Sequence, residues 1–299
     1  MRWDDFRQSE NVEDRRGEGG GFGGGRGGFG IPIGRGGIGI GTLIVVGLVS
    51  WALGINPLVL LGGGDMLPQG GTSYTQQTGR GGAPEDRAGR FASAVLAQTE
   101  DVWSAELPRQ ANRSYQAPRL VLFSGGTQSG CGFAQAQVGP FYCPVDQRVY
   151  VDLDFLARMQ AQLGARGDFA AAYVIAHEVG HHVENLLGIL PKAQQAQRNA
   201  AGAQANAVSV RTELMADCLA GVWAFHAEKN WRILDDGDVA QAMNAAAAVG
   251  DDRLQRAGQG YVVPDSFTHG SSAQRTRWFG AGLKTGQISA CNTFAGAQP

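Results

Sequence analysis

The chain has 299 residues, enough for one large domain or two small ones. Its 25 Lys and Arg against 27 Asp and Glu leave a net charge near zero, and no basic stripe stands out, which argues against nucleic acid as a partner. Four cysteines without a C-x-x-C pair give little support to a thiolate zinc site or a thioredoxin-like redox pair.

In chain order, Met1 to Arg16 is polar and charged, and a Gly-rich run follows from Gly17 to Gly37. Such a run cannot bury a core. From Gly36 to Gly64 no residue is charged, and the centre of this stretch, Ile38 to Leu53, can cross a bilayer of about 30 Å as a helix. The leader before it is long and no small-x-small cleavage site follows, so an uncleaved anchor is expected. Arg15, Arg16, Arg26 and Arg35 precede the span and the next basic residue is Arg80. That asymmetry predicts a cytoplasmic N-terminus and an extracytoplasmic domain, periplasmic or at the cell surface. The expected organisation is a cytoplasmic leader over 1–36, one transmembrane helix over 37–60, a linker over 61–84 and a folded domain over 85–299.

Within that domain, Phe91, Val95, Thr99, Val102 and Trp103 recur at helical spacing over Ala88 to Leu107. Leu120 to Phe123 reads as a strand, followed by a Gly-rich turn over Ser124 to Gly130. Pro140 to Pro144 and Arg148 to Asp152 read as paired strands around Val145-Asp146-Gln147, and either is a candidate edge for adding a substrate strand. A helix runs from Ala170 to Leu190 with Pro191 closing it, and Pro191 to Lys229 is almost unbroken helix former. Asp235 to Ala248 makes another helix, and Ser271 or Ser272 caps a last one through Trp278 to Leu283. The fold class is α+β, helix-rich with a small sheet.

Chemistry concentrates in His177-Glu178-Val179-Gly180-His181, an H-E-x-x-H motif. Two histidines four apart lie on one helix face and can share a metal, while Glu178 can reach a metal-activated water as general base. The third ligand is open. A histidine in the longer H-E-x-x-H-x-x-G-x-x-H pattern is excluded, because positions 184 and 187 hold Glu184 and Leu187. Glu184 itself would crowd the metal to one side. Glu213-Leu-Met-Ala-Asp217 is favoured, with Glu213 as ligand and Asp217 accepting from the far nitrogen of His177. Such a set predicts one zinc ion per chain and amide hydrolysis.

Several segments, MRWDDFRQSENVEDRRG, GPFYCPVDQRVYVDLDF, AHEVGHHVENLLG, ELMADCLAGVWA and THGSSAQRTRWF, together resemble the neutral zinc metallopeptidase family of YpfJ-like bacterial membrane proteins. The resemblance covers nearly the whole chain. It implies a zincin-type peptidase acting on peptide or protein substrates, with His177, His181 and Glu213 as zinc ligands and Glu178 catalytic.

Smaller features complete the expectation. His182 points away from the metal, His226 reads as a surface or helix-end histidine, and His269 is a candidate donor to the reaction's oxyanion, with Tyr261 and Arg275 as weaker rivals. Export favours two disulfides, Cys131 with Cys143 and Cys218 with Cys291. The rival to a peptidase is a membrane-tethered binding or scaffolding protein with a structural zinc site.

Overall fold

In a computed structural model, residues 1–17, 79–82, 84–135, 139–162 and 167–296 are described. The strands are β1 (Val12–Asp14), β2 (Arg80–Gly81), β3 (Arg119–Phe123), β4 (Gly126–Ser129), β5 (Gly132–Gln135), β6 (Phe141–Cys143) and β7 (Arg148–Asp152). The helices are α1 (Arg87–Ala111), α2 (Leu153–Gln162), α3 (Asp168–Leu186), α4 (Ile189–Arg198), α5 (Ala203–Trp231), α6 (Asp238–Ala248), α7 (Asp251–Gln259) and α8 (Ser272–Thr285). Two short 3-10 turns, Pro264–Ser266 and Ile288–Cys291, flank α8. The expected α+β class holds.

The main sheet has the order β2-β1-β3-β7-β6, with β1, β3 and β7 parallel and the outer pairs antiparallel. Strand side chains alternate between faces. Leu120, Leu122, Val149 and Val151 join the large core beneath the helices, while Val121, Phe123 and Tyr150 face a smaller cluster with Ala134 of the β4–β5 hairpin. Both faces are covered, so β7 is apolar almost without interruption. It is also interior: β6 pairs along its outer side, and only β6 of the two candidate edges lies at the rim. The Gly-rich turn expected over Ser124 to Gly130 instead contains β4.

The largest departure concerns the leader. Its first residues belong to the domain rather than standing apart from it. β1 lies between β2 and β3, and Trp3 is 3% exposed against the edge of Phe91. The Trp3 indole donates to Asp168 at 2.9 Å, tying the leader to the first residue of α3. The segment's charges are paired, some across the fold and some within the leader. Arg7 meets Glu100 and Asp101, Arg15 meets Glu13, and Arg16 meets Asp14 and Asp86.

Asp14 stands opposite Arg80 in the β1–β2 pair, so the chain leaves the sheet and re-enters it at adjacent strands. The span expected over 37–60 lies outside the described residues, and among the described residues no helix is long and apolar enough to cross a membrane. A single crossing between β1 and β2 would put the strands of one sheet on opposite sides of the bilayer. β1 of the expected leader and β2 beyond the expected span are thus hydrogen-bonded neighbours in one sheet.

Other boundaries shift for local reasons. The metal-motif helix ends at Leu186, and Pro191 sits in the first turn of α4, where a missing N–H costs nothing. Gly202 divides the long helix-forming stretch into α4 and α5. Ser271 caps α8 in a capping box with Gln274, as its sequence implies.

Both disulfides are present. Cys131, in the β4–β5 turn, is bonded to Cys143 at the end of β6, and Cys218 of α5 to Cys291 in the last 3-10 turn. Their sequence separations are 12 and 73. On chain entropy the longer loop stabilises by about 4 kcal/mol and the shorter by about 3 kcal/mol. Replacing Cys218 and Cys291 together by Ala is thus expected to lower unfolding free energy by about 4 kcal/mol in urea titration. A loss under about 1 kcal/mol would mean that close α5–α8 packing already fixes the tail.

Candidate metal centre

The site forms where α3 crosses α5. His177 and His181 stand one turn apart on α3 with ring centroids 4.8 Å apart. Opposite them, Glu213 places one carboxylate oxygen 3.2 Å from His177 Nε2 and the other 3.6 Å from His181 Nε2. One donor atom from each residue lies within 4.8 Å of the others, and all three residues are buried. The favoured third ligand is the one brought to the histidines.

Two small residues make that approach possible. A Cβ on Gly180 would sit 2.9 Å from the backbone oxygen of Ala216 and 3.1 Å from its Cα. The unspecified positions of H-E-V-G-H and E-L-M-A-D therefore set the helix spacing. Gly180→Ala should push α3 from α5, with an overpacking loss of about 1–3 kcal/mol. Weaker zinc binding should accompany it, read by chelator competition. Unchanged zinc affinity would show that this contact does not set the site.

Each ligand histidine is held through its other nitrogen. His177 Nδ1 lies 2.9 Å from Asp217, which also accepts two hydrogen bonds from Arg275 at 2.8 and 2.9 Å and one from the Tyr173 hydroxyl. The carboxylate fixes the Nδ1–H tautomer and leaves the Nε2 lone pair facing Glu213. His181 Nδ1 lies 3.0 Å from Glu184. Glu184 thus meets the nitrogen that faces away from Glu213, which removes it as a third ligand.

Arg275 is buried and donates to Asp217 from α8, a contact hidden in sequence because α8 is remote from α5 along the chain. Tyr261 is 62% exposed. His182 and His226 are buried rather than at the surface. His182 bonds the Tyr142 hydroxyl and the Gln116 carbonyl, and His226 bonds the Gly286 carbonyl.

Charge decides what the site can accept. Glu178, Glu184, Glu213 and Asp217 are all buried, against the single guanidinium of Arg275. Buried carboxylates in such excess require added positive charge. The imidazoles register that demand. Burial lowers the His177 pKa, yet the hydrogen bond and charge of Asp217 and the bond to Glu213 raise it to about 10. His181 is also raised against burial, by Glu213 and Glu184. Burial raises Glu213, but His181 and His177 outweigh it and hold the carboxyl well below the usual range. Glu178 is pushed upward, chiefly by burial. Two imidazoles, one carboxylate and surplus negative charge fit a dication, and the donor types suit zinc.

A loop histidine lies near the site. His269, buried in the loop before α8, has Nδ1 2.9 Å from the Thr268 hydroxyl and 3.2 Å from Asp251. Asp251 in turn accepts the backbone N–H groups of Thr268, His269 and Gly270 at 2.7, 2.7 and 3.1 Å. His269 Nε2 is buried without a hydrogen-bond partner, and the imidazole's charge acts on Glu213. Asp251 was not singled out in the sequence.

Comparison with known proteins places this geometry in a family. A family model described as "Putative neutral zinc metallopeptidase" matches residues 1–294. The chain is 49% identical over 294 residues to the uncharacterized protein YpfJ of Escherichia coli K12, covering 98% of this chain and 99% of the relative. It is 46% identical over 224 residues to the uncharacterized protein Mb2605 of Mycobacterium bovis, covering 70% of this chain and 73% of that one. No solved structure matches. The match includes β1 and the whole of α3, α5 and α8, and the chain belongs to this neutral zinc metallopeptidase family.

Proposed function

We propose that the protein is a zinc peptidase that hydrolyses peptide bonds in protein or peptide substrates. The observation carrying this reading is the convergence of His177, His181 and Glu213 with Glu178 beside them on the same helix and outside the donor set. A bound zinc ion supplies Lewis acidity to a water and to the scissile carbonyl. Glu178, buried beside the two ligand imidazoles, takes the proton of the attacking water and delivers it to the leaving amine nitrogen. His269, steadied by Asp251 at Nδ1, has Nε2 unspent and in its doubly protonated form would donate from that nitrogen to the developing oxyanion.

A purely structural zinc site takes four protein ligands. Among the described residues no fourth His, Cys, Asp or Glu joins the three, which favours turnover over a scaffolding role. The zincin-type architecture remains part of this proposal. So does placement outside the cytoplasm, which the two disulfides favour, with β1 on the same side as the domain.

Metal analysis and peptide-library cleavage by the full chain test the reading. One zinc per chain is expected, with cleavage abolished by chelation and restored by zinc. A zinc-loaded protein that cleaves nothing would end the peptidase reading and leave the binding protein. Four reactive thiols in the unreduced, denatured protein would end the placement.

A further inference from the structure

The two ligand histidines are clamped by carboxylates in very different company. Asp217, behind His177, is neutralised by the Arg275 guanidinium and also accepts from Tyr173. Glu184, behind His181, has no such support. It is fully buried, one oxygen meets His181 Nδ1 at 3.0 Å, and its other oxygen has no hydrogen-bond partner. An unpartnered carboxylate oxygen in a buried position is costly and calls for a reason. Because residues three apart share a helix face, Glu184 reaches His181 from the same helix.

We infer that Glu184 is a positioning residue for the metal, orienting His181 through its Nδ1, at the expense of the metal-free fold. This rests on the zinc reading above. As an acceptor it keeps the His181 proton on Nδ1, so that Nε2 presents its lone pair toward Glu213. Its acceptor is not shared with a guanidinium, whereas the carboxylate behind His177 is shared with Arg275. Asp217 and Glu184 consequently do different work. Asp217 joins α3, α5 and α8 through Tyr173, His177 and Arg275, and its loss strands a buried guanidinium. Glu184 makes no bond between elements, and its loss strands nothing charged.

The signature is a pair of effects with opposite sign. The full chain would be prepared metal-free as wild type, Glu184→Gln, Glu184→Met and Asp217→Asn, with thermal unfolding and zinc affinity by chelator competition read on each. Glu184→Met removes the acceptor and the charge, and zinc affinity should fall by about 10-fold to 100-fold. Glu184→Gln keeps an acceptor and should fall less. Both should show a metal-free Tm equal to or above wild type, whereas Asp217→Asn should lower the metal-free Tm as well as zinc affinity. A wild-type zinc affinity in Glu184→Met overturns the inference. So does a metal-free Tm below wild type in both Glu184 variants, which would assign the residue to the fold. Failure of the wild type to bind zinc strikes the underlying reading instead, so the two failures remain distinct.

Discussion

Glu178→Gln is expected to keep one zinc per chain and to lose peptidase activity by about 10²-fold to 10⁴-fold, the range for removing a general acid–base group. The separation follows from the geometry. Glu178 is adjacent to His177 on α3 yet outside the three residues whose donor atoms converge. Gln keeps its volume and polarity but cannot accept the water's proton at neutral pH. Burial already raises the Glu178 carboxyl toward the operating range of a base, a property the amide lacks. Zinc content by metal analysis and cleavage of a peptide library should be measured on the same preparations. Full activity in a zinc-loaded variant would remove Glu178 from the mechanism. Loss of zinc together with activity would show that Glu178 supports the metal and would leave the base unidentified.

Trp3→Ala is expected to destabilise the protein by about 3–5 kcal/mol, a large part of the roughly 5–15 kcal/mol that holds a typical domain together. Trp3 is 3% exposed, packs edge-on to Phe91 and donates to Asp168, the residue that starts the metal helix. Its loss opens a cavity and leaves that end of α3 without its tie to the leader. A chain beginning at Glu85 goes further. It lacks both β1 and β2, so β3 loses one side of its ladder. Such a fragment should fail to unfold cooperatively in urea and should bind no zinc. A stable, zinc-binding fragment from Glu85 onward would instead show that the leader is a separate unit.

These two predictions differ in how far the sequence could anticipate them. The H-E-x-x-H spacing carries its own geometry, because a helix places positions four apart on one face whatever surrounds it. Glu213 and Asp217 were legible for the same reason, and an Ala-rich segment with little other charge made them stand out. The Ser271 cap was also local. The leader was not legible. Arg7, Arg15 and Arg16 read as solvated charge until their partners at Glu100, Asp101, Glu13, Asp14 and Asp86 are seen. Three residues of β1 carry too little alternation to announce a strand, and what makes them one is the parallel ladder with β3.

The sequence by itself determined the helix that bears His177, Glu178 and His181, the second helix with Glu213 and Asp217, and the α+β character. All of these follow from periodicities within a few turns. Only the tertiary structure decided the rest. It assigned Arg275 to Asp217, Glu184 to His181 and Asp251 to His269, and it inserted residues 12–14 into the sheet. Apart from His181 and Glu184, which are neighbours on one helix, those pairings join positions whose proximity depends on how the elements pack. Hydrogen bonds and buried charges reward such contacts only after the chain has closed on itself.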